Sequence, residues 1–260
     1  MMNEELKNIS LWLTRPPGQA ENLTRLLQER GARVYHLPMM RIATLPVDKK
    51  QETKIKKLAK YDMAFFISTN AAQIGMELIE TYFPKFPEKI TYFAPGPTTA
   101  RVLENFGLKV AYPEKAMSTE ALLILPELRK IIQDENKRKK RAIIFRGKGG
   151  RELLANTLRA KGIAVSYIEL YERRLPDYND RYLKDFLLNK KPDGIIFTSA
   201  EAMHNFVILF EAIFPDYKST PVFVSSNRLE TLARKIGFET INLLNAADDD
   251  SVSRGIKKLK

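Results

Sequence analysis

Residues 10–35 read SLWLTRPPGQAENLTRLLQERGARVY, and residues 141–166 read RAIIFRGKGGRELLANTLRAKGIAVS. Laid one above the other without a gap, the two share a plan. Each has a short apolar run closing on an arginine, then a polar or glycine-rich loop. An apolar-periodic helix follows, then a glycine and a second apolar run. Arg15, Glu21, Gly31 and Val34 recur as Arg146, Glu152, Gly162 and Val165, at a constant numbering offset of 131. The offset continues outside the two stretches. Asp62, Ser68 and Ala71 return as Asp193, Ser199 and Ala202, and Gly107 returns as Gly237 with the offset shortened by one. A nearly gap-free offset over so many positions points to a tandem duplication of one α/β unit.

Working outward, strand and helix signals alternate along the chain. Strands are expected at Ser10–Thr14, Arg33–Leu37, Met63–Ser68, Ile90–Phe93 and Lys109–Tyr112. Further strands are expected at Ala142–Arg146, Ala164–Tyr171, Gly194–Thr198, Val222–Val224 and Thr240–Leu243. Alternation of this kind predicts parallel sheets covered by helices on both faces. LLQERGARV, VLENFGLKV, TLRAKGIAV and LARKIGFET each end an apolar-periodic helix on a glycine before a short strand. A helix C-terminus needs a left-handed residue there, so these glycines place elements and carry no chemistry.

Composition removes several function classes. The 260 residues hold 43 Lys+Arg against 31 Asp+Glu, a net charge of +12, with two His and no Cys. Hydrophobic residues at 44% and charged residues at 28% describe a globular chain. Two domains suit this length at roughly 150 residues each. Without Cys there are no disulfides, thiolate metal sites or cysteine nucleophiles. Two isolated histidines, His36 and His204, leave no His cluster for zinc or a non-haem iron triad, and no metal is expected. Asp248-Asp249-Asp250 lacks the spaced ligands of a calcium loop. Met1–Ser10 has no apolar signal-peptide core, and no stretch approaches the ~18–20 apolar residues of a membrane span. A cytoplasmic protein without a membrane partner is expected. The basic run at 137–141 has no aromatic interleaving, so it reads as a solvated helix end rather than a nucleic-acid patch.

In open parallel sheets ligands bind beyond the carboxyl ends of the strands. Those ends are followed here by Thr14-Arg15-Pro16-Pro17-Gly18, Ser68-Thr69-Asn70-Ala71 and Ala94-Pro95-Gly96-Pro97-Thr98-Thr99. The others are Arg146-Gly147-Lys148-Gly149-Gly150-Arg151, Thr198-Ser199-Ala200-Glu201 and Ser225-Ser226-Asn227-Arg228. Hydroxyl residues there serve as ordinary helix caps. Several free helix N-termini facing one cleft also make an anion site. In the 146–151 loop three glycines let backbone amides approach an anion, and two arginines can grip a carboxylate. It lacks the Gly-Lys-Ser/Thr ending of a phosphate-binding Walker loop and the glycine spacing of a dinucleotide site. Phosphate and carboxylate both remain open on spacing alone. Paired catalytic carboxylates and a Ser-His-Asp set are missing from these loops.

LTRPPGQAENLTRLLQERGARVYHLP, FISTNAA, APGPTTARVLENFG, RAIIFRGKGGRELLANTLRAKG, IELYERR, FTSAEA, VFVSSNRLETLARKIGF and INLLNAADDD follow one another in an order that resembles the uroporphyrinogen-III synthase family. The resemblance runs over nearly the whole chain. It implies two similar α/β domains with parallel sheets flanked by helices, joined by a two-stranded antiparallel linker. One domain would combine residues 1–38 with 175–260, the other would be 39–172, and the linker strands would be about 35–45 and 167–176. The implied reaction is cofactor-free closure of hydroxymethylbilane, a linear tetrapyrrole, to uroporphyrinogen III with its last ring inverted. The acetate and propionate arms of that substrate would supply the anion.

Tyr171 matches the family's tyrosine in ELYER and is expected to act as the acid. A phenol of ordinary pKa, ~10, is protonated at neutral pH and can donate. The equally simple reading is an amphipathic strand residue with its hydroxyl at the rim. Thr14, Arg15, Ser68, Asn70, Ala71, Gly96, Thr98, Thr99, Arg146, Gly147, Arg151, Ser199, Ser225 and Ser226 match segments lining the family's cleft. The Ser225-Ser226-Asn227-Arg228 loop departs from the Gly-x-x-Thr form of other members. A monomer that binds no nucleic acid is expected. The competing reading is a non-catalytic two-lobed binding protein for an anionic small molecule.

Overall fold

The computed structural model describes residues 5–114, 118–134 and 139–257. In chain order its elements begin with β1 (Ser10–Leu13), α1 (Glu21–Glu29), β2 (Arg33–His36), β3 (Arg41–Thr44), α2 (Lys49–Lys56), β4 (Met63–Phe66) and α3 (Thr69–Glu80). Next come β5 (Thr91–Phe93), α4 (Pro97–Asn105), β6 (Val110–Ala111), α5 (Thr119–Leu123), α6 (Pro126–Gln133), β7 (Arg141–Gly147) and α7 (Leu153–Ala160). The series ends with β8 (Ala164–Arg174), α8 (Asp180–Asn189), β9 (Gly194–Phe197), α9 (Ala200–Leu209), β10 (Val222–Val224), α10 (Asn227–Ile236), β11 (Ile241–Leu243) and α11 (Asp249–Gly255). Two compact units result, Met1–Ile42 with Arg174–Lys260, and Ala43–Arg173.

One sheet has the order β11-β10-β9-β1-β2 and the other β3-β8-β7-β4-β5-β6. Read from the far end, the second is β6-β5-β4-β7-β8-β3, the order of the first with each strand replaced by its repeat and β3 added at the edge. The register repeats too. Ser10 pairs with Arg33 and Arg141 with Ala164, and Leu11 pairs with Gly194 as Ala142 does with Met63, all in parallel. The constant offset in sequence is therefore an offset of pairing. Every residue of β1, β4 and β9 is buried, as parallel strands covered on both faces require. Gly31, Gly107, Gly162 and Gly237 take φ of +77° to +107°, the left-handed ends that the repeat predicts.

The stretches expected as linker strands hold the end of β2, all of β3 and most of β8. Tyr35 and His36 finish β2 inside the five-stranded sheet, while β3 and β8 are neighbours at one edge of the six-stranded sheet. The backbone of β8 runs on for 11 residues and must find partners beyond β7. The stretch after His36 supplies one, with Leu45 N donating to the Leu170 carbonyl at 2.8 Å.

The first unit packs on both faces of its sheet. Leu11 and Leu13 face α1 and α11, whereas Trp12 faces a cluster of Phe186, Phe206, Phe210 and Tyr217. The indole N–H of Trp12 donates to the Lys190 carbonyl at 2.6 Å, so burial leaves no orphaned donor. In the second unit Phe65 stacks on Phe93 and Phe66 on Phe145, at 4.8 and 4.4 Å between centroids. The basic run at 137–141 falls partly outside the described residues; Lys140 pairs with Asp134 and Arg141 stacks over Tyr61. No helix among the described residues is long and apolar enough to cross a membrane.

Phe206 touches Trp12, Phe197 and Phe210, so Phe206→Ala is expected to lower stability by ~3–5 kcal/mol in urea melts followed by Trp12 fluorescence. Tyr92 provides a test against pH. Burial pushes its phenol up to about 12, with the hydroxyl donating to the Pro87 carbonyl. An unfolded phenol titrates near ~10, so above that pH the folded chain keeps a proton that the unfolded chain has lost. The stabilisation is complete below ~10 and is lost as pH rises toward the folded value. Tyr92→Phe is expected to flatten this alkaline loss, measured as urea midpoints on both sides of pH ~10.

Candidate active site

Arg146 ends β7 with 2% of its surface exposed. Its Nη1 donates to Glu152 at 2.6 Å, its Nη2 to the Gly149 carbonyl and its Nε to the Gly147 carbonyl at 3.3 Å. The guanidinium also lies 4.8 Å from the Tyr167 ring centroid. The Tyr167 hydroxyl donates to the same Glu152 carboxylate. The Tyr167 hydroxyl, and then Arg146, hold Glu152 below the usual carboxylate range. Burial, and then Glu152, push the Tyr167 phenol up. The loop sequence predicts two arginines open to a ligand. The structure turns Arg146 inward, because a buried guanidinium must have its N–H groups satisfied, and its own loop satisfies them.

Arg151 remains outward, 74% exposed on its side chain and 3.4 Å from Glu120. Beside it is a cavity of about 340 Å³. Ile67, Leu122, Ile144 and Leu154 supply its apolar wall, and Arg146, Arg151, Arg173, Tyr167 and Thr119 its polar one. Tyr167 and Arg173 are not among the residues that the sequence singles out. Arg173 sits in the quoted ELYERR motif, but nothing local distinguishes it from Arg174.

Tyr171 lies within β8, opposite Gly147, where a register shift falls between Arg146 and Gly147. A bulge of this kind re-aims a side chain. The ring is 3% exposed, so it does not stand at a rim as an amphipathic strand residue would. Its hydroxyl is 2.9 Å from Ser68 Oγ, and its carbonyl accepts from Lys148 N at 2.7 Å. A Cβ built on Gly147 would come within 2.6 Å of the ring, so only glycine admits the phenol here.

The remaining loops of this unit stand at neighbouring strand ends. Ser68 Oγ accepts from Ala71 N at 3.1 Å and caps α3; Asn70 is half-buried and Ala71 buried. Gly96, in extended backbone, starts α4 with Pro97 in its first turn; Thr98 is exposed and Thr99 buried.

In the first unit Thr14 Oγ1 donates to the Ile196 carbonyl at 2.7 Å and is buried. Arg15 donates to Asp249, to the Ala247 carbonyl at 2.6 Å and to the Gln19 carbonyl at 3.2 Å. Both face the interior, as Arg146 does. Ser199 and Ser226 cap α9 and α10, and Ser225 is half-buried beside them. His36 bonds the Arg15 carbonyl, and His204 is exposed on α9. Asp248 caps α11. Among the described residues no group of three His, Cys, Asp or Glu is placed to hold a metal.

A family model described as uroporphyrinogen-III synthase HemD matches residues 21–251. The chain is 29% identical over 252 residues to the uroporphyrinogen-III synthase of Escherichia coli strain K12, covering 96% of this chain and 100% of that one. In fold it is similar to a mutant uroporphyrinogen III synthase from the extremely thermophilic bacterium Thermus thermophilus, with a TM-score of 0.59 at 18% identity over 95% and 96% of the two chains. It is equally similar to uroporphyrinogen-III synthetase from Helicobacter pylori 26695, with a TM-score of 0.59 at 16% identity over 95% and 97%.

The close approach of Gly147 to the phenol gives a direct test. Gly147→Ala is expected to cost ~1–3 kcal/mol of stability in urea melts, because the added methyl must displace the Tyr171 ring. Combined with Tyr171→Ala, which removes that ring, it is expected to cost little further.

Proposed function

Because this chain belongs to the uroporphyrinogen-III synthase family, we infer that it closes hydroxymethylbilane to uroporphyrinogen III, the cyclisation step of haem biosynthesis. The match over residues 21–251 carries this reading. The reading takes the two compact units as the family's two domains. The reading assigns a cytoplasmic enzyme that needs no cofactor, no nucleic acid and no second copy of the chain.

The substrate loses its hydroxyl from a methylene attached to a pyrrole. Tyr171 gives its phenolic proton to that oxygen as the C–O bond breaks, and water leaves. The last pyrrole attacks the resulting azafulvene through its substituted carbon, forming a spiro intermediate. This fragments and recloses with the ring reversed. The proton lost as the new pyrrole regains aromaticity returns to the phenolate. No net oxidation occurs. Unassisted closure gives the unflipped isomer, so the enzyme acts largely by holding one conformation.

What supports Tyr171 as the acid is its fixed position, between Gly147 and Ser68 at the carboxyl ends of β7 and β4. Arg151, Asn70, Ala71, Gly96, Thr98, Thr99 and Gly147 are assigned to the carboxylate arms in one unit. Ser199, Ser225 and Ser226 are assigned to them in the other. Thr14, Arg15 and Arg146 support these loops from beneath, since their polar groups are already engaged.

Supplied with freshly made hydroxymethylbilane, the protein is expected to yield the inverted isomer, separated after oxidation. Finding only the unflipped isomer would overturn the reading. Tyr171→Phe is expected to lower kcat by ~10²–10⁴-fold without loss of folding. Arg151→Gln is expected to raise KM by about tenfold, equivalent to ~1.4 kcal/mol of carboxylate binding.

A further inference from the structure

We propose that Ser68 is a positioning residue for the reaction, holding the Tyr171 phenol and stabilising its oxygen as the proton leaves. The proposal rests on the reading of Tyr171 as the acid.

A serine hydroxyl has one proton and two lone pairs. Ser68 Oγ accepts from Ala71 N at 3.1 Å, so the cap occupies a lone pair and leaves the proton available. The Tyr171 oxygen lies 2.9 Å away. If Ser68 donates, the phenol's own proton is aimed elsewhere, as an acid requires.

The duplication separates the cap from this second bond. Ser199, the repeat of Ser68, makes the same cap, accepting from Ala202 N at 3.1 Å. In the first copy, Met40 stands where the repeat of Tyr171 would be and has no hydroxyl, and Pro16 stands in the place of Gly147. The cap thus belongs to both copies of the fold, whereas the phenol contact belongs to one. Among the described residues three features accompany the phenol: the register shift beside Gly147, the missing side chain of Gly147 and the Lys148 N–H on the Tyr171 carbonyl. Each bears on where the ring stands.

When Tyr171 gives up its proton its oxygen becomes anionic. The Ser68 O–H is then a charge-assisted donor, stronger than between neutral groups. In a buried site such a donor needs no reorganisation at the moment of reaction. It binds the phenolate more tightly than the phenol, so it affects turnover more than substrate affinity.

Ser68→Gly separates the two roles, because glycine starts a helix almost as well as serine. On hydroxymethylbilane we expect kcat to fall about 10- to 100-fold with KM within about threefold. Ser68→Thr, which restores the hydroxyl, is expected to recover most of the rate. Ser68→Asn, a strong cap without a hydroxyl, replaces the glycine variant if the latter unfolds at a lower urea concentration. In the Tyr171→Phe background Ser68→Gly is expected to have almost no further effect on kcat. Wild-type kcat in Ser68→Gly, alongside a slow Tyr171→Phe, overturns the positioning role and leaves the acid in place. An equal fall in both backgrounds also overturns it, since Ser68 would then act independently of the phenol. Wild-type kcat in Tyr171→Phe removes the acid, and this proposal with it.

Discussion

A buried guanidinium must satisfy its donors, and Arg146 does so almost entirely within its own loop. Carbonyls of Gly147 and Gly149 and the carboxylate of Glu152 surround it, and Tyr167 lies across its face. The chain can curl this tightly because Gly149 and Gly150 both take positive φ. Once the loop is closed in this way, Gly147 faces β8 and Lys148 N reaches the Tyr171 carbonyl. The buried arginine and the phenol are thus tied to the same strand end and loop.

The first copy meets the same constraint with a different partner. Arg15 follows β1 where its repeat Arg146 lies near the end of β7, but its carboxylate comes from Asp249 at the start of α11, at the far end of the chain. Glu21, the repeat of Glu152, instead accepts from Gly18 N and Ala20 N, and its own backbone N–H, then that of Gly18, hold its carboxyl below the usual range. Duplication preserved strand order, register and a buried arginine. Divergence changed what holds that arginine, and only one copy acquired a phenol beside a helix cap.

Backbone and caps supply much of the candidate site, which suits a polycarboxylate substrate. Amides at helix starts bind anions whatever side chain follows, so such a site survives extensive sequence change. The relationship at 29% identity over nearly the whole chain is compatible with that economy of side chains. The net charge of +12 was a weaker guide. Part of it sits in the 137–141 run, whereas Arg146, Arg151 and Arg173 line the cavity of about 340 Å³ beside the 146–151 loop.

The alternation of strands and helices, the repeat at constant offset, the left-handed glycines and the loops at the strand ends were all legible in the chain before folding. These are local properties: apolar period, glycine position and spacing act within a few residues of chain. Every residue now found around the phenol was visible there too, but not its role. Arg146 and Arg151 look equivalent in RGKGGR, yet one faces inward and the other outward. Tyr171 read equally well as a rim residue, and Ser68 as a cap alone. Tyr171 and Ser68, which share a hydrogen bond, lie far apart in sequence, and Arg15 and Asp249 lie farther still. Only packing could decide these contacts, because burial requires each polar group to find a partner and the partner is whichever group the sheet brings near.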